Sequence, residues 1–245
     1  MDATITAGGR IAGSFAQTIG TTIKALAPMG ERRLVDLAID AARSAGAERI
    51  ALVGGDAVRA HCGDRVDRFI AESSSGFVNI KSAIQAWGNE RILYLTSDLP
   101  FVSGSGVRDF VARSGDALVA MPLASEDDYG RRFPGAPPHV MTLGTRRFAS
   151  GSVFLLTPPA LAPLWPMLEG LFAGRKNALA MAAMLGPALL LRFLFRRLRV
   201  EDIERRAARV IGGRACAVWD ADPGLCFDID VESEWAYALE RTARG

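Results

Sequence analysis

The sequence predicts an α/β protein built on a mostly parallel, doubly wound sheet, and three observations carry that expectation. Short β-like runs alternate with helical patterns through the first two-fifths of the chain, the signature of right-handed βαβ units. The runs "RIALVGG" and "RILYLTSD" are apolar almost throughout, as strands covered on both faces are. With 49% hydrophobic and 23% charged residues, the 245 positions suffice for one large core.

In chain order, "ATITAGG" reads as a first strand ending in glycines. "RRLVDLAIDAARSAG" sets Leu34, Leu37, Ala38, Ala41 and Ala42 on one helical face and stops at Gly46, which makes it the expected first helix. "RIALVGG" follows as a strand, "FVNIKSAIQAW" as a helix and "RILYLTSD" as a strand running into a polar loop. A helix from Gly106 to Ser114 and the strand "DALVAMP" come next. From Leu123 to Arg147 periodicity fails among glycines, prolines and charges, as in a long functional loop. The strand "GSVFLL", a Pro-started helix at "TPPALAPLWPMLEGLF", helices through Arg175 to Leu198 and the helix "VEDIERRAARVIGG" restore it. Strands around "ACAVWD" and "LCFDID" and a helix "ESEWAYALERTA" close the reading. The expectation is a single domain over 1–245, with residues 122–215 inserted as a loop and helices.

Composition removes several classes. Basic and acidic residues nearly cancel, 29 against 27, so nucleic acid is not an expected partner. Cys62, Cys216 and Cys226 have neither an even count nor CxxC spacing and suit a reducing cytoplasm. No basic region followed by an apolar one opens the sequence, so cytoplasmic residence is expected. Within Ala178–Leu198, Pro187 and the arginines 192, 196 and 197 argue against a transmembrane span, which needs roughly 20 uninterrupted apolar residues. His61 and His139 adjoin neither a GxSxG elbow nor an HExxH pair, which removes serine hydrolases and zinc proteases.

Ligands of an open parallel sheet bind beyond the carboxyl ends of its strands, and four such ends are polar. Gly8 and Gly9 let backbone amides approach a polyphosphate and Arg10 offers a fork of donors, or the pair forms only a tight turn. No Walker A or GxGxxG pattern is present. Lys24 lies close to that loop in the chain, either to neutralise phosphate or as a solvated lysine, and no core role is expected of it. Asp98 follows an apolar strand and is separated from the next helix by Pro100 and Phe101, a placement suited to a hard metal ion rather than to capping. Asp228 and Asp230 alternate with Phe227 and Ile229, so both carboxylates share a face and repel each other unless a cation joins them.

Together, "TAGGRI", Lys24 within "KALAPMGERRLVDLAIDAARSAGAERIALVGG", "TSDLPFV" and "FDIDVESEWAYALE" resemble, in order and spacing, the MobA-like nucleotidyltransferases. That family includes the molybdenum cofactor guanylyltransferases and, more distantly, sugar-nucleotide and cytidylyl transferases. The likeness covers residues 1 to about 121 and the part from Cys216; residues 122–215 agree only in layout. It implies a Rossmann-like, GT-A-like sheet and Mg²⁺-dependent transfer of a nucleotidyl group from an NTP to a phosphorylated small-molecule acceptor, with pyrophosphate released. By the same resemblance Ala7, Gly8, Gly9 and Arg10 would hold the triphosphate, Lys24 would counter its charge, and Asp98 with Asp230 and Asp228 would hold the metal. Ser75, Gly76 and Asn79 stand where the family meets the base, although Ser73 to Gly76 read equally well as a helix N-cap. The sequence departs from the family in having "IAGSFAQTIG" where Thr-Arg-Met or Ser-Arg-Met is common, and Ile23 where a proline often precedes the lysine.

The irregular part is expected to hold an anionic acceptor, through Arg132, Arg147, Lys176 and Asn177, with solvated charge as the plain alternative for each. Leu189, Leu190, Phe193, Leu194 and Leu198 form an apolar face beside arginines, read as packing on the domain or a homodimer contact through residues 178–211 in preference to a membrane-surface helix. Two other functional classes stay open: a nucleotide-sugar-dependent glycosyltransferase on the same fold, and a noncatalytic nucleotide-binding protein.

Overall fold

Strand β1 (Ala3–Thr6) lies at the middle of a nine-stranded sheet, and its neighbours explain the architecture. It pairs in parallel with β4 (Ile50–Gly54) on one side and β6 (Ile92–Thr96) on the other, and β5 (Arg68–Ala71) extends the parallel half beyond β4. Beyond β6 the order is β10 (Val153–Leu156), then β7 (Val119–Ser125), with β11 (Ala215–Val218) on the far side of β7. β10 runs antiparallel to both neighbours, so β7 and β11 still point the same way as β1. The sheet is largely parallel, and the carboxyl ends of β1, β4, β5, β6 and β7 open on one side. The computed structural model describes residues 1–137, 139–174 and 186–243, with 171–174 by backbone alone.

Each strand of the sheet's centre sends alternate residues to opposite layers, as the pleat requires. Leu93 and Leu95 of β6 join Ile5 and the helices α2 (Leu34–Ser44) and α5 (Gly104–Ser114), where Leu34, Ala38, Val107 and Phe110 are fully buried. Ile92 and Tyr94 face the other layer with Ala83 and Ile84 of α4 (Gly76–Ile84) and Leu161 and Leu164 beyond β10. That other layer is completed by α7 (Pro158–Leu161), α8 (Trp165–Gly174) and, after α9 (Pro187–Leu194), by α10 (Val200–Ile211). α2 and α10 are held at their starts in the same manner: Arg33 N–H donates to Asp36 (2.7 Å) and Arg199 N–H to Asp202 (3.1 Å). Gly46 (φ 94°) and Gly212 (φ 69°) follow their ends in the left-handed region, as the sequence stops implied.

The structure differs from the sequence reading in four places. α1 (Gly13–Ile19) precedes the helix expected to come first; its seven residues bury only Phe15 and Ile19, too few to show a period. α3 (Asp56–Cys62) and β5 fill a stretch to which the sequence assigns no element, both short and β5 largely solvated. The irregular segment after Leu123 holds α6 (Glu126–Arg132), begun by a Ser125 cap on Asp128 N–H (3.1 Å), and a hairpin of β8 (Met141–Leu143) and β9 (Arg146–Ser150). Finally, "LCFDID" forms no strand, because its backbone meets the sheet only at single points such as Ile229 N–H to Asp98 C=O (3.0 Å). The two-residue strands β2 (Pro28–Met29) and β3 (Arg32–Arg33) form a separate hairpin, and α11 (Glu232–Ala243) ends the described chain. Among the described residues, no helix is long and apolar enough to cross a membrane.

Candidate active site

Gly8, Gly9 and Arg10 extend from β1 at the open side of the sheet, and the two glycines face different neighbours. A Cβ on Gly9 would sit 3.3 Å from Lys24 Cβ, so the bare glycine lets the lysine stem run alongside; Lys24 N–H also donates to Gly9 C=O (3.0 Å). A Cβ on Gly8 would meet Glu72 Oε2 at 2.7 Å and Asn79 Nδ2 at 3.4 Å. Ala7 is fully buried and its N–H donates to Val53 C=O (2.8 Å), which fixes where the loop leaves the sheet.

Lys24 opens a short 3₁₀ turn and is 9% exposed, the opposite of a solvated lysine. Its Nζ donates to Asp98 Oδ2 (3.0 Å) and Asp230 Oδ1 (2.6 Å). Burial alone would lower its pKa, but the Asp98 and Asp230 carboxylates outweigh it and raise the value, so the ammonium keeps its proton. The expectation that Lys24 has no core role is therefore corrected: it is the counter-charge inside a group of acids.

Asp98 leaves the end of β6, and its own carbonyl accepts from Ile229 N–H, which draws Phe227–Asp230 beneath it. Phe227 and Ile229 turn into the core while Asp228 and Asp230 turn the other way, so the alternation read in the sequence holds without a ladder. Carboxylate oxygens of Asp98, Asp228 and Asp230 all lie within 4.8 Å of one another. Burial, with Asp98 and Asp230 beside it, raises the Asp228 carboxyl to about 6. Asp98 Oδ1 is buried and accepts no hydrogen bond among the described residues. Glu234, in the first turn of α11, accepts from the Asp230 (2.5 Å) and Val231 (2.9 Å) amides and so fixes the segment from behind.

Reasoning from sequence missed three participants. His139 sits with Nδ1 3.5 Å from Asp228 and Nε2 3.1 Å from Glu234, its ring against Phe227 and Tyr129. Glu234 is the second. Glu72, directly after β5, pairs with Arg10 and backs Gly8 and Gly55. Nothing near His139 in the sequence marked it, whereas Glu72 was findable as a polar strand end had β5 been recognised.

Arg10 is thus engaged by Glu72, and it also donates to Gly8 C=O (3.0 Å). Ser75 caps α4 through Val78 N–H (3.4 Å), and Gly76 is that helix's first residue. Asn79 accepts from Ser73 N–H (2.7 Å) and donates to Ser73 C=O (3.1 Å), locking the Ser73–Gly76 turn next to the glycine loop. Arg147 pairs with Glu126 (2.8 Å), and Arg132 stacks on Phe133 while its carbonyl accepts from Arg241. These contacts hold both arginines away from the three carboxylates. Lys176 and Asn177 lie outside the described residues.

A sheet of this order, with acids and a buried lysine at its open ends, agrees with the comparison that decides the family: the model of the MobA-like NTP transferase domain matches residues 3–211. The chain belongs to the MobA-like NTP transferase family. As a MobA-like NTP transferase it is a nucleotidyltransferase by family, and it is similar to a hypothetical transferase from Thermus thermophilus (26% identity, TM-score 0.81, covering 96% of this chain and 99% of that one). Its fold is shared by 2-C-methyl-D-erythritol 4-phosphate cytidylyltransferase, also from Thermus thermophilus (14%, TM-score 0.55, 99% and 100%), and by CMP:2-keto-3-deoxy-manno-octonic acid synthetase complexed with CTP (12%, TM-score 0.57, 100% and 99%). No curated protein matches the chain. Asp228 and Asp230 stand beyond the stretch that the MobA-like NTP transferase model covers.

Proposed function

We propose that the protein transfers a nucleotidyl group from an NTP to a phosphorylated small molecule and releases pyrophosphate. The observation that carries this reading is the convergence of Asp98, Asp228 and Asp230 on one point with Lys24 between two of them. The donor set is all carboxylate oxygen, and the buried, unbonded Asp98 Oδ1 has lone pairs to give, which fits Mg²⁺. Mg²⁺ held by Asp98 and Asp230, with Asp228 adjoining, supplies neutralisation of phosphate charge.

The chain's own residues do the positioning. Amides of the Ala7–Arg10 loop would face the triphosphate, and the Lys24 ammonium would offset charge growing on the leaving pyrophosphate. Ser75, Gly76 and Asn79 border the base, while Arg132, Arg147, Lys176 and Asn177 of the 122–215 insert serve the acceptor. An acceptor oxygen attacks the α-phosphorus as the bond to the β-phosphate oxygen breaks, and the electron pair leaves with pyrophosphate. The whole of 1–245 acts as one nucleotidyltransferase domain, and the buried free thiols Cys62 and Cys226 suit a reducing cytoplasm.

The test is a screen of the four NTPs, with nucleotide sugars in parallel, against pooled phosphorylated metabolites with Mg²⁺, scored by release of pyrophosphate or nucleoside diphosphate beside a nucleotide-binding measurement. Pyrophosphate with one NTP and one acceptor is the expected result. Nucleoside diphosphate released from a nucleotide sugar indicates a glycosyltransferase instead, and nucleotide binding without any turnover indicates a binding protein.

A further inference from the structure

Helix α9 is apolar on more than one face. Leu189, Leu190 and Phe193 are half-buried and Leu198, after the helix, is buried, so that side is partly covered. Leu191, Leu194 and Phe195 are 54%, 56% and 71% exposed and stand at i, i+3 and i+4, one contiguous stripe turned to solvent. The stripe borders a cavity of about 670 Å³ walled by the turn after α9, the start of α10 and the tip of the β8–β9 hairpin. Five arginines, 192, 196, 197, 199 and 205, line it against only Glu201 and Asp202. Arg192 (2.5 Å) and Arg205 are paired with Asp202, while Arg196, Arg197 and Arg199 have no carboxylate partner among the described residues. Gly144 (φ 63°) fits the hairpin tip closely over the Leu198 carbonyl, so the loop bearing those arginines is backed by structure.

We infer that this patch docks the protein on an anionic lipid surface, the Leu191–Leu194–Phe195 stripe entering the headgroup boundary and the unpaired guanidinium groups meeting lipid phosphates. Apolar side chains beside unpaired cations are what a peripheral anchor needs, since burial of the stripe and attraction to anionic headgroups add. A second copy is disfavoured by charge: an isologous contact through the same patch sets arginine against arginine. Guanidinium forks match phosphate oxygens two by two, which a neutral apolar partner would leave unsatisfied.

The experiment is co-sedimentation of the full chain with vesicles of phosphatidylcholine alone and of phosphatidylcholine mixed with phosphatidylglycerol, beside sedimentation velocity without vesicles and titration with soluble tripolyphosphate. The protein should pellet with the anionic vesicles only, less so as salt rises, and stay monomeric without them. Arg196→Ala with Arg197→Ala should weaken partition about 30-fold, each basic side chain at such a surface being worth about fivefold. Phe195→Glu should abolish pelleting with the melting temperature unchanged. The inference is overturned by equal binding to neutral vesicles, by full binding of the arginine double variant, or by self-association that Phe195→Glu removes. Tripolyphosphate binding that the arginine double variant loses, without vesicle binding by the unaltered chain, also overturns it, making the patch a site for a soluble phosphate compound.

Discussion

Asp98 and Asp230 share one lysine while Asp228 stands beside them, and small changes of side chain test each part. Asp98→Asn and Asp230→Asn keep shape and remove a charge, so each should fold normally and lose turnover by orders of magnitude, and the double variant should be little worse than either, as for residues acting as one unit. Steady-state pyrophosphate release and circular dichroism check this; losses that multiply in the double variant would show that the two do not share an ion. Lys24→Met leaves the acids without their buried ammonium, and in metal-free buffer should cost on the order of 1–3 kcal/mol, discounted because Asp230 is largely exposed. Urea unfolding measures it, and added Mg²⁺ should recover most of the loss. Asp228 titrates at about 6 when folded against 3.8 as a free carboxyl, so between those values the folded state holds a proton that the unfolded chain has released. Metal-free stability should therefore fall as pH rises from about 4 to 6, by at most about 3 kcal/mol, and Asp228→Asn should flatten that slope. The three carboxylates were marked in the sequence, because strand ends and period-two alternation depend on local pattern, whereas Lys24 was singled out by its nearness to the glycine loop and its burial between two acids was not foreseen. His139 was not marked, since its partners Asp228 and Glu234 lie far along the chain and its own neighbours carry no period.

Gly151 joins β9 to β10 where the antiparallel arm bends from one part of β7 to another. Its amide donates to Pro122 C=O (2.9 Å), and an added Cβ would stand 2.7 Å from the Leu225 carbonyl. Gly151→Ala should cost about 2–4 kcal/mol, because a backbone carbonyl on one side and the Pro122 ring on the other leave no flexible group to yield. A melting curve suffices, and an unshifted midpoint would show that the arm can move away from Leu225. Long elements that bury one face, such as α2, α5 and α10, were readable from spacing. α1, α3, β5 and α6 were not, since four to seven residues bury too few side chains to establish a period; of these α6 alone has a side-chain cap, Ser125. "LCFDID" shows the converse error: alternation reports which way side chains point, and a chain crossing the open edge of a sheet alternates as a strand does.

The C-terminal segment belongs to the core as much as to the site. Phe227 meets Phe101, Tyr129, Phe133 and Tyr237 ring to ring, and Trp235 donates to Pro28 C=O (2.9 Å). A chain cut after Asp222 should accordingly lose cooperative thermal unfolding together with nucleotide binding, although it still contains every residue that the family model covers. Calorimetry on the cut chain decides this; a sharp transition with retained nucleotide binding would show that the segment is an accessory.

The Asp98 carbonyl that receives Ile229 also ties the site to the order in which the molecule is made. On a ribosome, Asp98 and Lys24 are available roughly ten seconds or more before Asp228 and Asp230 are added, at ordinary elongation rates. During that interval the nascent sheet carries one acid matched to one lysine, a neutral pair with little hold on a divalent ion. The excess negative charge appears only with the last two aspartates, when the surrounding layers have their chain in hand. On the proposed reading, a growing polypeptide of this design has no complete cation site until its last segment is added.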